Sequence, residues 1–170
     1  LSKIRGAHPT GERDDGRLAT LRIEEASPTS AYDQFALFFA RARADAIVTT
    51  GAILRAEPNV RYALDASPVG PALHAYRRER LAKTTPARIV VLSRGGDVDA
   101  AHPAARGAEL WAPTPARGWT HRSFDGSVVD AVTTLRGEVD SVLVEAGPSV
   151  SRTLHERGAI EELLLTRFEG

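Results

Sequence analysis

The chain has 170 residues, 42% of them hydrophobic and 26% charged, the profile of one globular domain over residues 1–170 with apolar side chains enough for a core. Lys+Arg 22 balance Asp+Glu 22, so no overall field recruits nucleic acid or an anionic membrane, and no apolar run reaches the roughly 18 residues of a membrane span. Cysteine is absent, which excludes disulfides, thiolate catalysis and Cys-ligated metals and makes the cytosol the expected compartment, while the absence of methionine means that residue 1 is not expected to be the encoded start and that trimming at either end is expected.

The first predicted element is Leu18–Ile23, an alternating stretch that suits a half-buried strand, followed by the helix-start signal Ser27-Pro28-Thr29-Ser30. Tyr32 to Arg43 reads as the helix, with Tyr32, Phe35, Phe39 and Ala42 spaced three and four apart and expected in the core. Ala44 to Gly51 is a short β-branched run that stops at glycine, the form of a buried parallel strand. From Glu57 to Pro71 the composition turns to Pro, Asn, Asp, Ser and Gly, which predicts a long loop. Pro71 to Ala82 is a helix, and its Arg77, Arg78, Arg80 and Lys83 are expected to form a solvated basic face near the negative end of the dipole.

Ala87 to Ser93 is a further apolar strand that ends in the turn Arg94-Gly95-Gly96-Asp97, and Ala108 to Trp111 is a shorter one. Pro113 to Gly126 reads as loop with Trp119 as its one large apolar group, and Val128 to Leu135 as a helix. Val139 to Glu145 is a strand that runs into Ala146-Gly147-Pro148-Ser149, with Ser149 expected to cap the helix Val150 to Arg157, which closes at Gly158. Ile160 to Thr166 is the last predicted strand. Strands alternating with helices predict an α/β sandwich around a mostly parallel sheet.

Three strand ends carry small or hydroxylated residues: Thr49-Thr50-Gly51, Ser93-Arg94-Gly95-Gly96 and Glu145-Ala146-Gly147-Pro148-Ser149. Ligands of α/β sheets sit at strand carboxyl ends, where helix N-termini offer N–H groups to a phosphate, so the three ends point to one shared crevice. Neither G-x-G-x-x-G nor G-x-x-x-x-G-K-[ST] is present, which removes the standard Rossmann fingerprint and the P-loop. His8, His74, His102, His121 and His155 form no H-x-x-x-H pair, and no intrinsic metal is expected. Gly147-Pro148-Ser149-Val150-Ser151 lacks the second glycine of a hydrolase elbow.

The stretch Ala42 to Gly51, the following Arg55-Ala56-Glu57-Pro58, the strand Arg88 to Ser93, and above all Ser141 to Val150 with Ile160-Glu161-Glu162-Leu163 resemble the reductase domain of riboflavin biosynthesis. The similarity covers most of Asp15 to Thr166. It implies a dihydrofolate-reductase-like three-layer α/β sandwich and NADPH-dependent reduction of a small-molecule substrate, with a homodimer as the expected assembly. On this resemblance Thr50, Gly51, Ser93, Glu145, Gly147, Pro148, Ser149 and Val150 would line the cofactor site, and Arg94 would meet a ribose 2′-phosphate, since a guanidinium matches phosphate bidentately. Asp15, beside Gly16, and Glu57 would face the substrate as candidate catalytic residues. Hydride transfer asks the protein chiefly to place the nicotinamide against an electrophilic carbon and to manage one proton.

The chain also departs from the pattern. Ala146 replaces the first glycine of the phosphate turn and is expected to lack its φ freedom. Ala52 and Ala56 replace a hydroxyl and the first acidic residue of the substrate turn. These three positions favour the alternative, a non-catalytic nucleotide-binding or subunit domain of the same fold.

Overall fold

In the computed structural model, residues 30–95 and 98–164 are described together with the backbone of three two-residue strands, β1 (Ile4–Arg5), β2 (Ala19–Thr20) and β8 (Arg167–Phe168). Between them the order is α1 (Ala31–Arg43), β3 (Ala46–Thr50), α2 (Gly51–Ala56), α3 (Gly70–Leu81), β4 (Arg88–Leu92), β5 (Ala108–Ala112), β6 (Thr120–Ser123), α4 (Val128–Arg136), β7 (Val142–Val144) and α5 (Pro148–Glu156). Strands β6-β5-β4-β3-β7 form one sheet, every neighbouring pair parallel. The three short strands form a separate sheet in the order β2-β1-β8.

The central strands are apolar on both faces because both faces are covered, as parallel sheets require. On one face Ala46, Val48, Val90 and Trp111 pack against Ala131 and Leu135 of α4. On the other, Ile47, Val91, Leu110 and Ala112 pack with Leu54 of α2, Tyr62, Val98 and Ala104. Ala42 of α1 and Leu73 of α3 join Leu64 in a third cluster with Phe38 and Phe39 against it. The α/β sandwich around a parallel sheet therefore stands as predicted.

Local chemistry explains the boundaries. Ser30 caps α1, its hydroxyl accepting from the Asp33 N–H at 3.4 Å. Ser127 and Asp130 form a reciprocal capping box on α4. α5 begins at Pro148 with Gly147 as N-cap and no side-chain cap, so Ser149 lies inside the first turn and does not cap the helix. Gly158 ends that region at φ +63°, a conformation that suits glycine.

Four further expectations are corrected. Thr120–Ser123 is a strand, although it reads as loop: it is a polar edge strand paired on one side, so no apolar run marks it. Residues 160–164 form no strand, and 165–166 lie outside the described residues; apolar composition there is not matched by a ladder partner. In α1 the packing engages Phe38, Phe39 and Ala42, whereas Tyr32 is 87% and Phe35 49% exposed; periodicity marks a stripe but not how much of its length a neighbour covers. The basic run is not one solvated face: Arg77 is buried, and Lys83 pairs with Asp45 at 2.7 Å. Of the strand predicted at Leu18–Ile23, Ala19–Thr20 is described as strand and the rest lies outside the described residues, as do Ser27 to Thr29, His8 and Gly96 to Asp97.

Candidate functional site

All five parallel strands point their carboxyl ends the same way, so the sheet order decides which ends are neighbours. β7, β3 and β4 are adjacent, with Val48 opposite Val144 and Thr50 opposite Leu92. The three strand ends singled out from sequence thus lie side by side. The Glu145 N–H donates to the Val48 carbonyl at 2.8 Å, which carries the β7 ladder one residue into its turn. The Ser93 N–H does the same toward Trp111 at 3.1 Å.

Thr50 ends β3 and caps α2, its hydroxyl accepting from the Ile53 N–H at 3.3 Å. Gly51 is buried, and a Cβ there would lie 2.9 Å from Val98 Cγ2, 3.3 Å from Ser93 Oγ and 3.4 Å from an Arg55 terminal nitrogen. The β3 and β4 ends are therefore in contact across this glycine. The Ser93 hydroxyl turns back on its own loop, donating to the Gly95 carbonyl and accepting from the Gly95 N–H at 3.3 Å. Arg94 is exposed beside it.

At the β7 end, Ala146 is buried, Gly147 and Val150 are half-buried, and Pro148 and Ser149 are exposed. A Cβ on Gly147 would meet nothing within 4 Å, so the space in front of this turn is open. Among the described non-glycine residues only Ala82 has positive φ; Ala146 sits in ordinary backbone, and the conformational cost expected there is absent.

Glu145 is buried, and both carboxylate oxygens are held by Arg41 of α1, whose Nε and Nη2 donate at 2.6 Å each. The remaining Arg41 nitrogen donates to the Arg61 carbonyl at 2.9 Å. The guanidinium carbon lies 4.9 Å and 4.8 Å from the ring centres of Phe38 and Tyr62. Tyr62 in turn donates from its hydroxyl to Thr49 Oγ1 at 2.7 Å, and burial pushes the phenol well above its usual range. Sequence reading missed Arg41, Tyr62 and Thr49 as a group. The available signal was an arginine set between Ala40 and Ala42, small neighbours that let a guanidinium pass inward.

Glu57 is the C-cap of α2, one helix length from Gly51, and is half-buried. His102 Nδ1 accepts from the Ala104 N–H at 3.0 Å, which leaves Nε2 to donate to the Glu57 carbonyl at 3.1 Å. The second candidate acid, Asp15, lies outside the described residues. The structure thus brings Thr50, Gly51, Ser93 and the Glu145–Val150 turn to one end of the sheet, while Glu57, at the far end of α2, acts electrostatically on Tyr62 together with Glu145. Among the described residues no three His, Asp or Glu side chains converge to hold a metal, and no helix is long and apolar enough to cross a membrane. At the opposite end, an open groove of about 380 Å³ is lined by Asp45, Arg77, Arg88 and Glu138 among others, but these charges are already satisfied by Lys83, main-chain carbonyls and one another.

No family model matches the sequence, and no curated protein matches it. Among solved structures, two of RibD from Acinetobacter baumannii are similar to it. One superposes with a TM-score of 0.60 at 16% identity over 79% of this chain and 37% of that chain. The other gives 0.58 at 16% identity over 80% and 38%. The chain therefore spans well under half the length of those proteins. At this identity the likeness shows the fold, and it agrees with the dihydrofolate-reductase-like α/β sandwich expected from the sequence.

Proposed function

We propose that the chain is an NADPH-dependent reductase of riboflavin-pathway type, similar to 5-amino-6-(5-phosphoribosylamino)uracil reductase, which transfers hydride to a small heterocyclic or ribosylamino substrate. The observation that carries this reading is the adjacency of the β3, β4 and β7 ends, with open space before Gly147 and an exposed arginine after Ser93. An extended dinucleotide suits such an end of the sheet, because its pyrophosphate meets main-chain N–H groups at a helix start while its bases reach neighbouring loops. The RibD-like fold supports the same reading. When bound, NADPH would supply the hydride, with the N–H groups of the Gly147–Val150 turn and Arg94 holding its phosphates. Fluorescence titration of the protein with NADPH is the direct test, followed by NADPH oxidation with the pyrimidine substrate.

Two observations favour a second reading, a nucleotide-binding domain without catalysis. The Glu145 carboxylate is engaged by Arg41 on both oxygens, and Ala52 and Ala56 stand where a hydroxyl and an acid are expected. NADPH binding without turnover would select it. Either reading takes a second copy of the chain as partner, with the exposed Tyr32 and Phe35 available to cover. Light scattering at micromolar concentration is expected to give twice 18.3 kDa, and a monomer would reject this part.

A further inference from the structure

We propose that Arg41 is a positioning residue that holds the β7 turn and the Arg61–Tyr62 segment in register at the crevice. This rests on the nucleotide-binding reading above and adds a residue that lies outside the three strand ends. The guanidinium fills every direction with a different part of the molecule: two nitrogens to Glu145, one to the Arg61 carbonyl, and its faces to Phe38 and Tyr62. Tyr62 then reaches Thr49, one residue before the cap of α2. One side chain from α1 therefore links the end of β7, the chain after α2 and the end of β3.

Energetics say what this link is for. The side chains of Arg41 and Glu145 are 4% and 9% exposed, and a buried pair gains little net stability over apolar residues of similar size, because desolvation offsets its attraction. A planar fork bound at two points does fix distance and orientation, which a Met–Leu contact would not. Glu145 stands two residues before Gly147, the N-cap of α5, so any freedom at Glu145 is passed directly to the N–H groups that start that helix. Displacements of about 1 Å in such positions weaken function on the order of a hundredfold.

The test compares the parent chain with Arg41→Met/Glu145→Leu and with Arg41→Lys, using hydrogen exchange, thermal melting and NADPH titration. The double variant is expected to melt close to the parent, to exchange faster at 145–151 and 57–62 while β3 and β4 keep their protection, and to bind NADPH at least about tenfold more weakly. Arg41→Lys keeps the charge but loses the fork, and is expected to show the same pattern to a smaller degree. If the double variant does not fold, Arg41→Lys decides by the same exchange and titration. Unchanged exchange at both segments overturns the inference, as does unchanged affinity in a parent that binds. If the parent does not bind NADPH, the cofactor reading falls, and the exchange pattern still decides whether Arg41 sets these segments.

Discussion

Arg77 reaches from α3 to the carbonyl of Ala44, at 2.5 Å, on the short link between α1 and β3. The same side chain donates to the Ala42 carbonyl at 2.9 Å and to the Thr85 carbonyl at 3.0 and 2.8 Å. It satisfies the end of α1 and the approach to β4 together, which is why a guanidinium is buried in the helix layer. Burial lowers its pKa from the usual arginine value, and the nearby Asp45 carboxylate partly offsets that shift.

Arg77→Met is expected to destabilise the chain by about 3 kcal/mol, because three main-chain carbonyls lose a charged donor and two of them stay out of water. That corresponds to a fall in Tm of roughly 6–12 °C for a domain of this size. The exposed neighbour Arg78, whose partner is Glu79 at 2.9 Å, is the control, with Arg78→Met expected within about 0.5 kcal/mol of the parent. Equal losses in urea or thermal melts would show that Arg77 does not tie these segments.

Acid should weaken the fold through its paired carboxylates. Arg88 grips Glu109 through Nε at 2.5 Å and Nη2 at 2.8 Å, and Trp111 adds an N–H at 3.1 Å. Hydrogen bonding from Arg88, against partial burial, holds the Glu109 carboxyl below its usual range. Burial pushes Asp45 up, but hydrogen bonds from Lys83 and Ser141 outweigh it and leave that carboxyl lowered too. A depressed folded pKa contributes stability that is complete above the unfolded value, about 4 for these groups, and is lost as pH falls through the folded one. Melts are expected to be flat from about pH 7 to 5.5 and to drop below about 4. Glu109→Gln should cost about 1 kcal/mol at pH 7 and flatten the acid limb; a limb of unchanged steepness would exclude Glu109.

The two crevice glycines should respond differently to valine. At Gly147 there is open space and φ is −67°, so Gly147→Val is expected to cost about 1 kcal/mol or less of stability while blocking close approach of a phosphate. At Gly51 the first added carbon already meets Val98 at 2.9 Å, and Gly51→Val is expected to cost about 2 kcal/mol. Thermal melts beside NADPH titrations separate the two effects. A Gly147→Val protein that binds as tightly as the parent would remove this turn from the ligand site.

Arg94, exposed after the β4 end, is expected to choose between the two nicotinamide cofactors. Arg94→Ala should weaken NADPH by about tenfold, the lower bound for a charge-assisted phosphate contact, and leave NADH unchanged. Parallel titrations with both cofactors check it, and an equal loss for both would place Arg94 away from the 2′-phosphate.

Sequence alone determined the layer plan. Runs such as Ala46-Ile47-Val48-Thr49 and Arg88-Ile89-Val90-Val91 state burial on both faces, and Ser30, Ser127 and Gly158 mark helix ends by local hydrogen bonding and backbone freedom, all of which are written in neighbouring residues. The glycine- and hydroxyl-bearing strand ends were legible for the same reason. Only the tertiary structure decided which ends adjoin, because the order β6-β5-β4-β3-β7 places segments nearly a hundred residues apart side by side. It also decided the roles of Arg41, Arg77 and Glu145. A charged side chain is read as solvated until a partner distant in sequence removes it from water, and Arg41 finds Glu145 across 104 residues. Thr120–Ser123 became a strand by the same logic: its ladder is supplied by β5, and nothing in its own four side chains calls for one.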